Sequence, residues 1–493
     1  MAETRQSNFP KYMALTAALL GWMFDGFEMG LFPLAGKPAL NDLLGTPDAK
    51  VVNEWFGVII ALFLVGAATG GVLFGWLGDK FGRVKAMALS IGAYSIFSGL
   101  CAFAGEAWHI AVLRFLASLG MGGEWSLGVA LVNEIWPGKS RAFMAGLIGA
   151  AANVGFMLVG IIARIVEPMR EIFAGMGMSE GLLEKFFGND AWRFLMVIGA
   201  LPALLVFFVR LWVPESEKWL HEKEKGATDH WSSADLVGVF LGCLGSLGVV
   251  YVWSPLAGDI EIFLRIFCTL LGLGIAGFGF LIPVKQYLKR ATEVGMIEAG
   301  AGKQIMGRML FGAGLAGVAL LGAWGVLQWV AAYAGQIAGA DARANTQIAV
   351  ALGAIVGTII AAVVADRFGR RMTYFAICIG SILTAFGLFQ EGMEYGTAFL
   401  AWGFLAGAIM ASFFGFFPFY FPELFPTAVR ATAQGFAFNF GRVIAAIGGL
   451  QTATLIAAFD GDFLKAAKTM SAIYVVGAIL IWFGPETKNE LPE

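Results

Sequence analysis

Charge is scarce in this chain. Only 14% of its 493 residues are Asp, Glu, Lys or Arg, while 58% are hydrophobic. A soluble domain carries about a quarter of its residues charged, so a water-soluble fold is excluded and a multi-pass membrane protein expected. Cysteine and histidine are also few, at four and three. Cys101, Cys243, Cys268 and Cys378 all fall in apolar runs, without metal-ligand spacing or a disulfide framework, and read as packing residues. Met1 to Pro10 is polar and short, with no apolar core leading to a cleavage site, so no removable signal peptide is expected. Phosphate-cradling loops, metal clusters and nucleophile–base pairs are absent from the sequence pattern. That argues against an enzyme, a cofactor and a nucleic-acid partner.

Apolar runs are plentiful. Hydropathy places spans at about 14–34, 55–77, 84–104, 108–131, 142–163, 191–212, 234–253, 262–283, 309–334, 346–365, 372–389, 396–421, 432–457 and 466–484. Fourteen is even, so both termini are expected on one side. Lys80, Arg83, Lys85, Lys139, Arg141, Lys218, Lys223, Lys285, Arg290, Arg367 and Arg370 fall in alternate connections, and acids such as Asp42, Glu171, Asp259, Glu391 and Asp460 in the others. The positive-inside rule then puts both ends in the cytoplasm. The 67 glycines suit close helix packing in a membrane.

A repeat organises the chain. The series Gly75, Asp79, Gly82, Arg83 recurs as Ala362, Asp366, Gly369, Arg370, and Glu134, Pro137, Arg141 recurs as Glu423, Pro426, Arg430, at nearly the same offset. Two six-helix halves follow: residues 1–220 and 309–493, with a central linker 221–308 holding two surplus spans. Residues 164–190 are too polar and long for a tight turn and are expected to form a small external cap.

Acids inside the first span are the sharpest functional signal. A charge near mid-membrane is costly and is usually kept where it lines a polar path or meets a partner. Asp25 and Glu28 lie one turn apart, roughly on one face. Asp25 is about 16 Å in from the start of its span, and Arg114 sits at a similar height in the fourth. The expectation is an Asp25–Arg114 pair that a proton can break, with Glu28 sharing the proton or packing; a static pair that only locks helices is the competing reading. Arg442 lies near mid-membrane with Asn439 one turn before it, and its counterpart in the first half is Asn153. A buried guanidinium can hold a carboxylate bidentately, which suggests an organic anion as substrate. Trp324 and Gln328, four apart, could supply a stacking wall and an amide; Glu124 could pair with a base or form an inner gate. Asp79, Arg83, Glu134 and Arg141 are expected to cluster as a cytoplasmic gate, repeated by Asp366, Arg370, Glu423 and Arg430.

With these residues in place, the chain resembles the major facilitator superfamily. The loop from Gly75 through Asp79, Gly82, Arg83 and Lys85 resembles that superfamily's signature between helices 2 and 3. Pro214 to Leu220 and Pro485 to Lys488 resemble the tags ending each half in the sugar-porter branch. Arg114 to Glu124 and Trp125 resemble the fourth helix of metabolite–proton and sialate–proton symporters; the latter are also similar at Asp25 to Glu28 and in having two added central helices. Gly441 and Arg442 resemble a pair in helix 11 of aromatic-acid symporters. The Gln-Gln and Asn pattern used for sugar hydroxyls is missing. The resemblance implies an all-α major facilitator fold of two pseudo-symmetric six-helix bundles plus two extra helices, in the inner membrane. It implies proton-coupled symport of a small organic anion by alternating access, without cofactors beyond the coupling proton, by a monomer in the lipid bilayer. A sugar or polyol symporter, a drug–proton antiporter and a non-transporting nutrient sensor are the alternatives.

Overall fold

In the computed structural model, residues 9–45, 48–136, 140–298, 300–447, 450, 459, 462–487 and 491–492 are described. The far end of the expected span 432–457, with Pro137, Lys139, Asp460 and Lys488, lies outside them. The described residues are helical, with no strand among them. The first half comprises α1 (Phe9–Leu44), α2 (Ala49–Phe81), α3 (Arg83–Leu100), α4 (Ala107–Ile135) and α5 (Arg141–Gly175). It continues with the cap helix α6 (Glu180–Phe187) and the two pieces of its sixth span, α7 (Trp192–Ile198) and α8 (Ala203–Trp212). A short helix α9 (Glu217–Glu224) leads to the surplus hairpin, α10 (Leu236–Trp253) and α11 (Ile262–Glu293). The second half runs through α12 (Ala301–Gly322), α13 (Gln328–Phe368), α14 (Arg370–Leu388), α15 (Thr397–Met410), α16 (Phe413–Tyr420) and α17 (Arg430–Asn439). After a turn at Phe440 the helix resumes over residues 441–447, and helices Phe463–Met470 and Ile473–Leu480 close the fold.

Among the described residues, twelve helices are long and apolar enough to cross a bilayer. The expected first and thirteenth spans are not counted there. The first, α1, holds Asp25 and Glu28 in its middle and Lys11 and Lys37 toward its ends, and the thirteenth, expected at 432–457, runs out of the described residues. Several expected boundaries move: the spans expected to end at 34 and 283 run on to Leu44 and Glu293. The span expected to end at 163 continues as α5 to Gly175, so the cap is largely a helical extension. The span expected at 309–334 contains a π-turn at Ala323–Leu327, and α13 reverses direction at Gly339, where φ is 85°.

The hairpin lies along the seam between the halves. Val250 of α10 packs with Ala61, Leu64 and Val65 of α2 and with Ala445 and Ala446 beyond α17. At its other end Trp231 stacks on Tyr287 at 4.4 Å and donates to the Ala428 carbonyl, while Arg290 pairs with Asp235 at 2.6 Å. Its outer face presents Phe240, Phe263, Phe267 and Leu270, as a lipid-facing surface must.

Candidate functional site

Two layers of charge lie inside the protein. The first, at mid-depth, is built on α1. Glu28 is 1% exposed and forms a short ion pair with Arg114 of α4, while the Ser98 hydroxyl reaches both its carboxylate oxygens at 2.7 Å. The Arg114 guanidinium is sandwiched by Phe32 and Phe63, at 5.2 and 4.5 Å from the ring centres. The expected Asp25–Arg114 pair is thereby corrected: Arg114 belongs to Glu28. One turn separates the two acids, and Ser98 on α3 supplies the extra donor only at the height of Glu28.

Asp25 is just as buried, yet neither carboxylate oxygen has a hydrogen-bond partner among the described residues. The charged groups within electrostatic reach of it are Glu124, Arg442 and Glu28. Glu124, also 1% exposed, likewise lacks a partner for either oxygen. It therefore has neither the basic partner nor the inner-gate contact expected of it. It leans on α1 instead, in space left free by Gly21, where a Cβ would collide with its Oε1. Arg442 arrives from the second half with Nε and Nη1 unpartnered and its guanidinium 5.5 Å from the Phe438 ring centre. Trp125 stacks on Phe438 at 3.8 Å and Trp22 lies 6.2 Å from the same ring; both indole N–H groups are buried without acceptors. Buried polar groups are almost always paired, so this concentration of unpaired donors and acids marks a place where something polar must enter.

Other expected contacts fall elsewhere. The Asn439 amide donates to the carbonyls of Gly122 on α4 and Gly435 on its own helix, so it ties the halves together instead of facing the centre. Asn153 donates to Gly149 one turn back on α5. Trp324 sits in the π-turn, packs with the cluster around Leu64 and accepts from the Trp329 indole at 3.2 Å. The wider turn breaks the one-face spacing expected for Trp324 and Gln328, and the Gln328 side chain lies outside the described residues.

The second layer lies at the end of the bundle that carries both chain ends, where Tyr12 meets Trp136 and the Pro492 carbonyl accepts from Arg430. Two clusters form there, but they exchange members between the halves. Arg83 bonds Asp79 at 2.6 Å and Glu134 at 3.3 Å, and Glu134 takes Arg430 of the other half at 2.8 Å. Reciprocally, Glu423 takes Arg370 at 2.6 Å and forms a short pair with Arg141 of the first half. The expected grouping by half is corrected, because each arginine opens a helix, α5 or α17, that crosses to the opposite bundle. Asp366 lies within electrostatic reach of Arg141. Asp79 also caps α17, accepting from the Thr432 backbone and hydroxyl at 2.8 and 2.6 Å.

The loops behind these clusters turn on Gly82 (φ 115°) and Gly369 (φ 92°), conformations that favour glycine. Glu215 accepts from the backbone of Arg83 and Val84, and Glu486 from Arg370 and Arg371, each capping the helix after the turn. Burial holds the Glu215 carboxyl above the ordinary glutamate range, against the N–H donors and the Arg83 guanidinium that pull it down. Sequence reasoning missed Tyr94, Ser98, Trp22, Gly21 and Thr432. Only Gly21 left a trace, as the small residue one turn from Asp25.

Two pseudo-symmetric bundles that cross-link at one end and bury unpaired charge between them define a membrane transporter and not an enzyme. The model of the sugar (and other) transporter family matches residues 13–238 and 286–491, so the chain belongs to that family within the major facilitator superfamily; the unmatched stretch holds most of the hairpin. The chain is similar to the sialic acid transporter NanX of Escherichia coli strain K12, with 29% identity over 60% of this chain and 70% of that one. It is similar to the niacin transporter NiaP of Acinetobacter baylyi, with 22% identity over 98% and 95%. Its fold matches the proton:xylose symporter XylE of E. coli bound to 6-bromo-6-deoxy-D-glucose, with TM-score 0.68 and 19% identity over 98% and 97%.

Proposed function

We propose that this transporter is a proton-driven symporter importing a small organic carboxylate across the inner membrane by alternating access. The observation that carries the reading is Arg442: a guanidinium 3% exposed, facing Asp25 between the halves, with two nitrogens that find no acceptor among the described residues. A carboxylate fits such a fork bidentately, and the unpaired Trp22 and Trp125 N–H groups offer further donors. The names of the sialic acid and niacin transporters support an acid as cargo. In this reading Asp25 carries the coupling proton, and Glu28 with Arg114 anchors α1 to α4. The crossed clusters, Asp79, Arg83, Glu134 and Arg430 with Asp366, Arg370, Glu423 and Arg141, hold the cytoplasmic side shut. Both termini lie in the cytoplasm, as the basic connections favour, and the unit is a monomer. Uptake into proteoliposomes of a panel including nicotinate, sialic acid, benzoate and xylose, driven by an inward proton gradient, tests this. Accumulation of an acid that Arg442→Gln abolishes is expected; accumulation of xylose that Arg442→Gln leaves intact would refute it.

A further inference from the structure

Asp25 lies within electrostatic reach of a second acid, Glu124, and of one base, Arg442. Asp25 comes from α1, Glu124 from α4 and Arg442 from the helix beyond α17. Among the described residues, the four carboxylate oxygens have no hydrogen-bond partner, nor do Nε and Nη1 of Arg442. Glu124 reaches this place only because residue 21 has no side chain: a Cβ there would lie 2.8 Å from its Cδ. Gly21 and Asp25 are one turn apart on the same face of α1, so the Glu124 carboxylate fills the slot beside Asp25. Besides the unpartnered Trp22 and Trp125 N–H groups, three further polar side chains lie around the pair. Glu28, next along α1, is closed off by Arg114 and Ser98. From α5, Asn153 spends its amide on Gly149. From α3 comes Tyr94, fully buried, with an unpartnered hydroxyl in electrostatic reach of Asp25, Glu124 and Glu28.

We propose that Asp25 and Glu124 are a single proton-binding site: the pair shares one proton, Arg442 balances the remaining negative charge, and the nearby buried Tyr94 hydroxyl senses which carboxylate is ionised. The reason is charge balance in a site closed to water. Leaving a carboxylate ionised without a partner there is very costly, and two adjacent carboxylates cannot both stay ionised against one guanidinium. The proton comes from water and forms an O–H bond with a carboxylate lone pair; on release it returns to water and leaves the electron pair on oxygen. A second step rests on the carrier reading above. When a substrate carboxylate occupies Arg442, the negative charge that Arg442 had balanced is uncovered, and a second proton joins the pair.

Infrared difference spectroscopy of the purified full-length protein, without substrate, between mildly acidic and mildly alkaline buffer, tests the shared site. The wild type should show one buried carboxyl C=O band. That band should be lost in Asp25→Asn and in Glu124→Gln alike, because either change leaves one acid for one guanidinium. In Arg442→Gln it should become two bands, and Tyr94→Phe should shift its frequency. Gly21→Ala, which changes no ionisable group, should shift it too, and this keeps the test open should Glu124→Gln fail to fold. A band that survives Glu124→Gln unshifted, or two bands each removed only by its own variant, would overturn the proposal. Neither result bears on whether Arg442 recognises carboxylates, which the uptake panel decides separately.

Discussion

Ser98 decides which acid of α1 is committed to structure. With two hydroxyl contacts at 2.7 Å and a guanidinium on Glu28, that carboxylate is an anchor, while Asp25 three residues earlier has none of these. The two should respond in opposite ways to neutralisation. Glu28→Gln strands a buried guanidinium and should cost about 3–5 kcal/mol, seen as a lowered unfolding temperature in detergent. Asp25→Asn removes an unpartnered buried acid and should leave that temperature unchanged or higher, while gradient-driven accumulation is lost and exchange persists. Outside the membrane interior, Glu215 gives a pH signature. Its carboxyl is held above its unfolded range chiefly by burial, so the folded state binds more protons than the unfolded one in the interval between the two values. Stability should therefore fall as pH rises through that interval, and Glu215→Gln should abolish that part of the slope in thermal unfolding measured across pH. That Asp25, Glu28, Arg114 and Arg442 are charges buried within helices was legible in the sequence. The partner of Arg114 was not, since helical spacing gives face and height but not which neighbouring helix adds a donor.

Helix contacts explain how the end bearing the termini closes. Where α17 crosses α2, a Cβ on Gly435 would collide with the Gly71 carbonyl and lie 2.8 Å from its carbon. Gln434 and Asn439 donate to Ser126 and Gly122 on α4 along the same crossing. Gly435→Ala should therefore disfavour the closed arrangement by about 1–3 kcal/mol, or roughly five- to 150-fold in population. Labelling of a cysteine placed at Ser126 in Gly435→Ala, compared with the same probe in the parent, would register the opening; equal labelling would show the contact to be slack. The centres of the apolar runs were readable, but α1, α5 and α11 overrun the expected ends at 34, 163 and 283 by ten residues or more. The π-turn at Ala323–Leu327 was not readable, because hydropathy is blind to whether a turn holds four residues or five, and this one change rotates Trp324 relative to Gln328.

At the scale of the molecule, the repeat predicted the members of both charge clusters but not their exchange. Equivalent residues in two copies look alike whether each pairs at home or across the axis. Only the path of α5 and α17 into the opposite bundle puts Arg430 on Glu134 and Arg141 on Glu423. A double-mutant cycle on thermal stability separates the two arrangements. Glu134→Gln with Arg430→Gln should show coupling of roughly 0.5–3 kcal/mol, and Glu423→Gln with Arg430→Gln close to none. The hairpin breaks the symmetry of the repeat by lining the α2–α17 seam alone, with Trp231 fastened to the turn that precedes Arg430.

Two acids facing one guanidinium also set the electrical character of the cycle. If every negative charge on the cargo is matched by a proton, a monovalent acid crosses without moving net charge. Membrane voltage then does no work on the loaded step, and uptake follows the acidity difference alone. Clamping the potential in liposomes with potassium and valinomycin should leave the accumulation of nicotinate unaltered at fixed pH on both sides.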